Sequence, residues 1–395
     1  MTVLPNGWKK VKLGDVVKMS SGGTPSKDNV SFWNGDIPWI SALEMHKNFV
    51  EDAKLNITEE ALKKGSSLAK KKDLLLLTRG SMLWKRIPVC LCLRDVAFNQ
   101  DVKCLHTDNK LNSTFLLYWF GCMESKIMHM VVGTGIGAGK LESSGILDLD
   151  VDLPPIEEQK KIVATLSVWD SAIEKMEKLI EVLEERYQAY VNEFFFENQS
   201  ERKKLKMGDV FAVRNDRSVA TEDMPLYSLT IENGITAKTD RYDRGALVKD
   251  KDSKKYKIVC DGDVVYNPAN LRWGAIGQSK VGHNVVVSPI YEVLYTRDNS
   301  NDSRYLSHYI MSKKMIAFYS SKTEGTLIER KEVKIDQFLR IDLYVERDPA
   351  RQKMIADVLD MHQEEISNLK QQLENYKKQK QGLMQKLLTG QWRVK

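Results

Sequence analysis

The sequence predicts an α+β protein in which two globular mixed α/β parts are joined by two long α-helices. Three observations support this fold class. The chain repeats itself, in order, at an offset of about 190 residues. Each repeat ends in a stretch whose apolar residues recur every seven positions, as in a coiled coil. The rest of each repeat alternates short apolar runs with turn residues. We therefore expect an internal pseudo-two-fold duplication, with the two helices forming an antiparallel coiled coil.

The duplication is visible from the first predicted element onward. The segment "KVKLGDVV" at 10–17 reappears as "KLKMGDVF" at 204–211, and "LNSTFLLYWF" at 111–120 resembles "NDSRYLSHYI" at 301–310. Single residues match in the same order: Asp73 with Asp263, Gln159 with Gln352, and Ile162 with Ile355. Chance similarity would not keep its order along a whole chain, so the pattern indicates a duplication, with a period far too long for a solenoid.

The globular part of each repeat reads as a mixed α/β unit. Strand-like runs such as "DLLLLT" at 73–78 and "DVVY" at 263–266 are separated by clusters of turn residues such as "SSGGTPS" at 20–26. The predicted division is a first globular domain at 1–153, a first long helix at 154–198, a second globular domain at 199–347 and a second long helix at 348–395.

The two long helices are predicted from their starts and from their heptads. Pro154 and Pro155 precede the first helix, and Asp348 is an N-cap followed by Pro349 at the first helical position. The first helix carries the seam series Leu166, Ile173, Ile180, Tyr187 and Trp169, Met176, Leu183, Tyr190. The second carries Leu359, Ile366, Leu373, Lys380, Leu387 and His362, Leu369, Tyr376, Leu383.

Charge favours pairing of these helices with each other. The segment 154–200 has 5 basic and 10 acidic residues, whereas 348–395 has 9 basic and 6 acidic residues. The alternative is that each helix packs only onto its own globular domain. Under the coiled-coil interpretation, the residues assigned to the seam and to partner docking are Gln159, Ile162, Leu166, Ile173, Ile180, Gln352, Ile355, Leu359, Ile366 and Leu373.

Composition excludes several classes of protein. Hydrophobic residues make up 42% and charged residues 29%, which is typical of a globular chain, and no apolar run reaches the length of a membrane span. The N-terminus resembles no secretory signal, so a cytoplasmic location without membrane contact is expected. The five cysteines are expected to be free thiols, and the six scattered histidines predict no metal site.

Two motifs look like cofactor sites but lack the required residues. The segment "GTGIGAGK" at 133–140 fits neither the Walker A motif nor the dinucleotide-binding pattern. The segment "YNPANL" at 266–271 lacks the second proline and the aromatic residue of the amino-methyltransferase motif. We therefore expect neither nucleotide binding nor catalysis here, and each segment is a surface turn or a DNA contact.

Two similar modules on a rigid spacer suit double-stranded DNA, because its symmetry lets them read two half-sites. Glycine-rich and basic loops offer candidate contacts with phosphates or base edges, although each could also be a plain surface turn. The candidates are Ser21, Gly22, Gly23, Thr24, Ser26, Arg79, Ser81, Lys85, Lys140, Arg214, Arg217, Asn267, Asn270, Arg272, Thr326, Arg330 and Lys331.

Three segments carry a resemblance to a known family. They are "GWKKVKLGDVVKMSSGGTPS" at 7–26, "FWNGDIPWI" at 32–40 and "LPPIEEQKKIV" at 153–163. Together with the duplicated layout, they resemble the specificity subunit of type I restriction–modification systems. The second repeat departs from the pattern, with Arg351 where the first has Glu158 and with "RNDRSVA" at 214–220 in place of the glycine-rich loop.

The resemblance implies a function for each part of the chain. The globular domains would be target recognition domains that read a split, asymmetric DNA sequence. The long helices would separate them and dock two methyltransferase subunits, and restriction subunits would join for cleavage. The chain would be non-catalytic and would bind no cofactor, with S-adenosylmethionine, ATP and Mg²⁺ on the partner subunits.

Two other functions remain open from the sequence. A coiled-coil scaffold could pair two protein-binding domains without DNA, and its contacts would be far less sensitive to salt. A single-chain methyltransferase is the third possibility, which the missing cofactor loop and the incomplete catalytic motif disfavour.

Overall fold

The fold is described from a computed structural model, which covers residues 4–135, 137–232, 234–237, 255–322 and 332–394. The chain forms two compact units, one of residues 1–177 with 371–395 and the other of residues 178–370. We call them unit 1 and unit 2. Each contains a globular part and one end of both long helices.

Unit 1 contains fourteen strands among the described residues, together with short helices and the start of a long one. The strands are β1 (Lys9–Lys12), β2 (Val17–Ser21), β3 (Trp33–Ile40), β4 (Phe49–Val50), β5 (Asn56–Ile57), β6 (Ser67–Ala69), β7 (Leu74–Leu77), β8 (Arg79–Gly80), β9 (Val89–Cys92), β10 (Val96–Phe98), β11 (Val102–Thr107), β12 (Val132–Gly133), β13 (Gly139–Lys140) and β14 (Asp150–Leu153). The helices are α1 (Glu59–Gly65), α2 (Ser113–Met128), α3 (Ser143–Leu147) and α4 (Ile156–Phe196), with 3-10 turns at Leu13–Asp15, Val30–Phe32 and Ser81–Trp84.

The centre of unit 1 is a five-stranded sheet of order β2-β11-β7-β9-β4. All four leucines of β7 are fully buried, since this strand is central in the sheet and covered on both faces. Helix α2 packs its aromatic residues into the same core. Smaller sheets of order β5-β3-β10-β6, β12-β13-β8 and β1-β14 complete the unit.

Unit 2 contains eleven strands among its described residues. They are β15 (Lys203–Lys206), β16 (Phe211–Val213), β17 (Arg217–Ser218), β18 (Tyr227–Thr230), β19 (Gly234–Ala237), β20 (Tyr256–Val259), β21 (Val264–Tyr266), β22 (Ile276–Gln278), β23 (Val285–Val287), β24 (Glu292–Thr296) and β25 (Asp342–Val345). The helices are α5 (Met207–Val210), α6 (Ser303–Ile310), α7 (Lys313–Ser321), α8 (Ile335–Leu339) and α9 (Pro349–Leu388), with 3-10 turns at Gln199–Glu201 and Leu271–Trp273.

The central sheet of unit 2 has the order β16-β24-β21-β22. These strands correspond one by one to β2, β11, β7 and β9 of unit 1, and the terminal pair β15-β25 corresponds to β1-β14. Further sheets have the order β17-β20-β23 and β18-β19. The predicted fold class, two mixed α/β domains joined by long helices with an internal duplication, is confirmed.

Equivalent hydrogen bonds repeat the duplication at the level of single residues. The Lys12 amide donates to the Asp15 carboxylate at 3.2 Å, and the Lys206 amide donates to Asp209 at 2.7 Å. A second set of equivalent hydrogen bonds involves the two buried aspartates. The Lys70 amide donates to Asp73 at 2.7 Å, and the Cys260 amide donates to Asp263 at 2.8 Å. Each of these four aspartates therefore stabilises a tight turn just before a strand.

The first turns of the long helices do not lie where the sequence analysis expected. Gln159 is fully buried; it accepts from the Asn112 amide at 2.8 Å and donates to the Lys110 and Pro154 carbonyls. Gln352 bonds in the same way to the Asp302 amide, at 2.8 Å.

The expected seam is therefore corrected for the first turns, where Gln159 and Gln352 are hydrogen-bonded to the globular parts. Ile162 and Leu166 share one buried cluster with the first globular part and with Leu387 and Leu388 of α9, and Ile355 and Leu359 share another with the second globular part and with Val191 and Phe195 of α4. The physical reason is that apolar heptad spacing looks the same whether a helix faces another helix or a sheet.

Antiparallel pairing of the long helices is seen in each unit separately. In unit 1, contacts run from Glu158 with Arg393, through Asp170 with Lys380, to Glu177 with Lys377. In unit 2, they run from Glu184 with Lys370, through Tyr187 with Gln363, to Tyr190 with His362. In both sets the numbering rises along α4 and falls along α9.

A polar junction in unit 1 joins α2 to both long helices. The Tyr118 hydroxyl donates to the Asp170 carboxylate at 2.5 Å, and Asp170 is ion-paired with Lys380. The Lys380 ammonium also lies 5.3 Å from the centre of the Tyr118 ring. Burial and the nearby Asp170 raise the pKa of Tyr118, so its hydroxyl remains a donor.

The equivalent junction in unit 2 uses different residues. By the offsets of the duplication, Tyr118, Asp170 and Lys380 correspond to His308, Gln363 and Tyr187. The Tyr187 hydroxyl lies 3.0 Å from His308 Nδ1 and accepts from Gln363 at 2.9 Å. The partly buried ion pair is thus replaced by a phenol, an imidazole and an amide at the same three positions.

Candidate nucleic-acid interface

Several predicted contact residues of unit 1 lie at one edge of its central sheet. In the antiparallel ladders, Ser21 is opposite Lys103, and Val102 is opposite Leu77. The end of β2, the start of β11 and the end of β7 therefore meet at this edge, which we call the unit 1 edge. The glycine-rich loop after Ser21 and the basic segment that begins at Arg79 both leave from it.

The glycine-rich loop at this edge is shaped by packing. A Cβ atom on Gly22 would lie 2.2 Å from the Phe98 carbonyl oxygen, and one on Gly23 would lie 2.3 Å from the Gly65 carbonyl oxygen. The Thr24 hydroxyl donates to Gln100 at 2.6 Å. The glycines thus allow close backbone contact inside the domain, while Ser21 and Ser26 remain exposed.

The basic segment forms a small flap over the same edge. Arg79 lies opposite Lys140 in the ladder between β8 and β13, so two distant predicted residues become neighbours. Arg79, Ser81 and Lys85 are exposed, and Lys140 is ion-paired with Glu142 at 2.7 Å. The edge therefore presents a group of cations with only one acidic partner among these contacts.

An exposed tryptophan in the flap was not predicted as a contact residue. Trp84 is 47% exposed, and its indole N–H donates to the Gly137 carbonyl at 3.0 Å. Gly133 lies under the ring. A fixed, exposed aromatic ring beside cations suits stacking or wedging against bases. The signal in the sequence was the alternation of Trp84 with basic residues in "TRGSMLWKR".

Unit 2 presents an equivalent edge. Val213 is opposite Leu294, and Tyr266 is opposite Glu292, so the ends of β16 and β21 meet the start of β24. The loop after β21 carries Asn267, Asn270 and Arg272. We call this the unit 2 edge.

A second exposed tryptophan lies at the unit 2 edge. Trp273 is 60% exposed and follows the end of β21 at the same chain distance as Trp84 follows the end of β7. The Arg272 guanidinium lies 5.0 Å from the Trp273 ring centre. The Asn267 side chain accepts from the Ala269 amide at 3.1 Å, which stabilises the turn that positions both residues.

Arg214 has a structural role that the sequence analysis did not expect. Its guanidinium makes a bidentate pair with the buried Asp263 carboxylate, at 2.7 Å and 3.1 Å, and lies 4.8 Å from the Tyr295 ring centre. The pair with Asp263 raises the pKa of Arg214. Its predicted DNA contact stays a prediction, although two of its nitrogens already bond to Asp263.

The remaining predicted residues are spread more widely. Arg217 is exposed in β17, opposite Lys257, in a different sheet from β21. Thr326, Arg330 and Lys331 fall outside the described residues. The five cysteines are free thiols, as expected. Among the residues that the structure describes, no helix combines the length and apolar character that spanning a membrane requires.

Comparison with known proteins agrees with this geometry. Residues 5–185 match the family model for the type I restriction modification DNA specificity domain. A type I restriction enzyme specificity subunit of Methanocaldococcus jannaschii is 23% identical, across 99% of this chain and 95% of that relative. The domain match and this relative together support a specificity subunit of the type I restriction–modification kind, with its DNA specificity domain at residues 5–185.

Other known proteins match this chain in part or in fold. An Escherichia coli type I specificity subunit is 31% identical over 189 residues, which is 46% of each chain. The crystal structure of an S subunit from M. genitalium covers 98% of both chains at 15% identity, with a TM-score of 0.61. A chain from a structural study of complex assembly in the type I R-M system covers 99% of this chain at 14% identity, with a TM-score of 0.58.

Proposed function

We propose that this specificity subunit reads a split, asymmetric DNA target, with unit 1 reading one part and unit 2 the other. The observation that supports this most is the pair of equivalent edges. Each has an exposed tryptophan at the same place on the same strand order, in a segment that also carries an arginine. Because the surrounding side chains differ between the two edges, the two half-sites should differ as well.

Side chains at the two edges have the chemistry for direct readout. Arginine can donate two hydrogen bonds to guanine, and asparagine can pair with adenine in the major groove. Arg79 and Arg272 are the candidates for the first contact, and Asn270 for the second. Lys85 would fix the register on phosphates, a contact that carries no sequence information.

The long helices would dock the partner subunits. On the outer faces of the long helices, Val168 of α4 is 70% exposed and Met361 of α9 is 60% exposed, and the two correspond to each other in the duplication. Large exposed apolar side chains at equivalent positions suit two copies of one partner. We assign them to two methyltransferase subunits. Restriction subunits would join this assembly.

The chain itself would carry no catalysis. S-adenosylmethionine, ATP and Mg²⁺ would belong to the methyltransferase and restriction subunits. Its contribution would be to choose the site, through contacts that hold the methyltransferases over their target bases.

Salt dependence tests the proposed DNA contact. The chain assembled with its methyltransferase subunits should bind duplex DNA with an affinity that falls steeply between about 50 and 200 mM salt, because bound phosphates release counterions. Binding of the methyltransferase subunits to the chain should change far less over the same range. DNA affinity that does not depend on salt, or is absent, would favour the protein scaffold instead.

A further inference from the structure

Three side chains with metal-binding chemistry meet on one face of the unit 1 sheet. They are Asp73 at the start of β7 and Cys104 and His106 of β11. One ligand atom from each lies within 4.8 Å of the other two. The Cys104 thiol donates to the Asp73 carboxylate at 3.5 Å, and His106 Nδ1 contacts the same carboxylate.

The strand register explains why these residues meet. Leu74 lies opposite Leu105 in the β7–β11 ladder, so Asp73 is the neighbour of His106 one step further along. Cys104 is two residues from His106 on the same strand, and alternate side chains of a strand share a face. No metal site was expected from the sequence, because these residues do not share the spacing of a metal motif within one segment and meet only across two strands.

The equivalent aspartate in unit 2 shows that a buried carboxylate at this position has a positively charged partner. Asp263 is buried, and the Arg214 guanidinium compensates its charge. Asp73 is also buried, but it has no lysine or arginine among its ion-pair partners in the described part of the chain. Its neighbours are an imidazole and a thiol, which are ligands rather than permanent cations.

We propose that Asp73, Cys104 and His106 bind one Zn²⁺ ion, which takes the place that Arg214 has beside Asp263. One carboxylate and one thiolate balance the two positive charges of the ion, and the imidazole is neutral. A thiolate and an imidazole together select zinc over Mg²⁺ or Ca²⁺. Tetrahedral zinc with bonds of about 2.0–2.3 Å keeps its ligand atoms further apart than a direct hydrogen bond, so the His106 ring would turn away from the Asp73 carboxylate to admit the ion.

A fourth ligand would be a water molecule or the neighbouring Cys92 as a neutral thiol. Cys92 of β9 is buried beside Asp73, and its amide donates to the Asp73 carbonyl at 2.9 Å. His106 is 55% exposed at its side chain, so the ion can enter from solvent. The site lies at the end of β7 opposite the unit 1 edge, and the zinc would therefore stabilise the sheet rather than touch DNA.

Zinc binding at this site should release one proton from the Cys104 thiol. Without metal, the Cys104 thiol keeps its proton, which it donates to the Asp73 carboxylate. Forming the zinc–sulfur bond breaks the S–H bond and releases that proton to buffer. Zinc affinity should therefore rise with pH.

The test is zinc binding by the full-length purified chain, measured by competition with a chromophoric chelator after metal removal. We expect one Zn²⁺ per chain. Cys104→Ser and His106→Gln should each weaken affinity more than about tenfold, since even outer partners of metal ligands change it by about 10–100-fold. Cys260→Ser, in unit 2, is the matched control and should bind like the unaltered chain.

A second measurement covers variants that fail to fold. Co²⁺ added to the unaltered chain should give a thiolate-to-cobalt charge-transfer band, and Zn²⁺ should displace it. No stoichiometric zinc binding, or equal affinity in folded Cys104→Ser and His106→Gln variants, would overturn the proposal and leave Asp73 and His106 as a simple ion pair.

Discussion

Trp84 and Trp273 show how exposed single residues can mark a recognition surface. Each ring is fixed by local contacts, one by the bond to Gly137 and the other by Arg272, yet each remains about half exposed. Exposing an aromatic ring of this size to water costs free energy, which burial against a partner recovers. In this account the partner is DNA, and the neighbouring arginines provide specificity.

Arg79→Ala should weaken binding of the assembled complex to its target by about 1–3 kcal/mol, the usual cost of losing an arginine contact with a base edge. Fluorescence anisotropy with labelled duplex measures this loss. Arg94→Ala is the matched control, because Arg94 is also exposed but follows β9 at the opposite end of the sheet. Equal affinity of the Arg79 and Arg94 variants would remove Arg79 from the interface.

Arg214→Ala should destabilise unit 2 rather than act first on DNA. The change leaves the Asp263 carboxylate buried without its partner, which typically costs about 3–5 kcal/mol. Urea unfolding followed by circular dichroism gives the change in the free energy of unfolding. Arg217→Ala removes an exposed arginine nearby and should stay within about 0.5 kcal/mol. An unfolding free energy unchanged in the Arg214 variant would contradict the structural role.

Sequence reasoning found residue types correctly but could not assign their partners. Arg79 and Lys140 were both singled out, yet only the ladder between β8 and β13 makes them neighbours. Arg214 looked like any other loop arginine, because the carboxylate that binds it is 49 residues further along the chain. Such long-range pairing leaves no pattern in a single sequence.

At the scale of elements, the long helices are held by a few polar contacts within an apolar seam. Lys380 occupies a position where the heptad pattern otherwise places apolar residues. Its partner Asp170 and the Tyr118 ring explain the exception in unit 1. A polar residue in a seam typically fixes the register of pairing at some cost in stability.

Lys380→Met should lower the free energy of unfolding by about 1–3 kcal/mol, because it leaves Asp170 partly buried and unpaired. Adding Asp170→Leu should recover most of that loss, since apolar residues often replace such a pair without cost. Urea unfolding of the single and double variants measures both effects. Lys377→Met breaks the exposed pair with Glu177 and should cost less than about 1 kcal/mol. A Lys380 variant as stable as the Lys377 variant would mean that the junction does not hold the helices.

The two long helices could be predicted because their apolar residues recur over many turns. What their first turns pack against could not be predicted. The helices run at Ile156–Phe196 and Pro349–Leu388, inside the ranges that the heptads predicted. However, the first turns face the globular parts, as the bonds of buried Gln159 and Gln352 to the N-caps of α2 and α6 show. Short strands such as β8 and β13 have two residues each, too few for any period to reveal.

For the whole molecule, the duplication predicts two equivalent docking positions for one kind of partner. Val168→Glu should remove one methyltransferase subunit from the assembly, and Met361→Glu should remove the other, because each places a charge in an apolar contact. The double variant should bind none. Native mass spectrometry of the reconstituted complex counts the bound subunits.

A control variant separates charge from contact in this experiment. Gln371→Glu adds the same charge at another exposed position of α9 and should keep two bound subunits. Full occupancy in the Val168 and Met361 variants would show that the methyltransferases bind elsewhere on the chain.

The most direct test of the account is methylation mapping in cells that carry this chain with its methyltransferase subunit. The predicted result is a split, asymmetric methylated motif that disappears when the chain is deleted. Arg79→Ala should relax only one half of that motif, and Arg272→Ala only the other. A methylation pattern that is unchanged by deletion, or a contiguous motif that both variants alter in the same half, would contradict recognition by two separate edges.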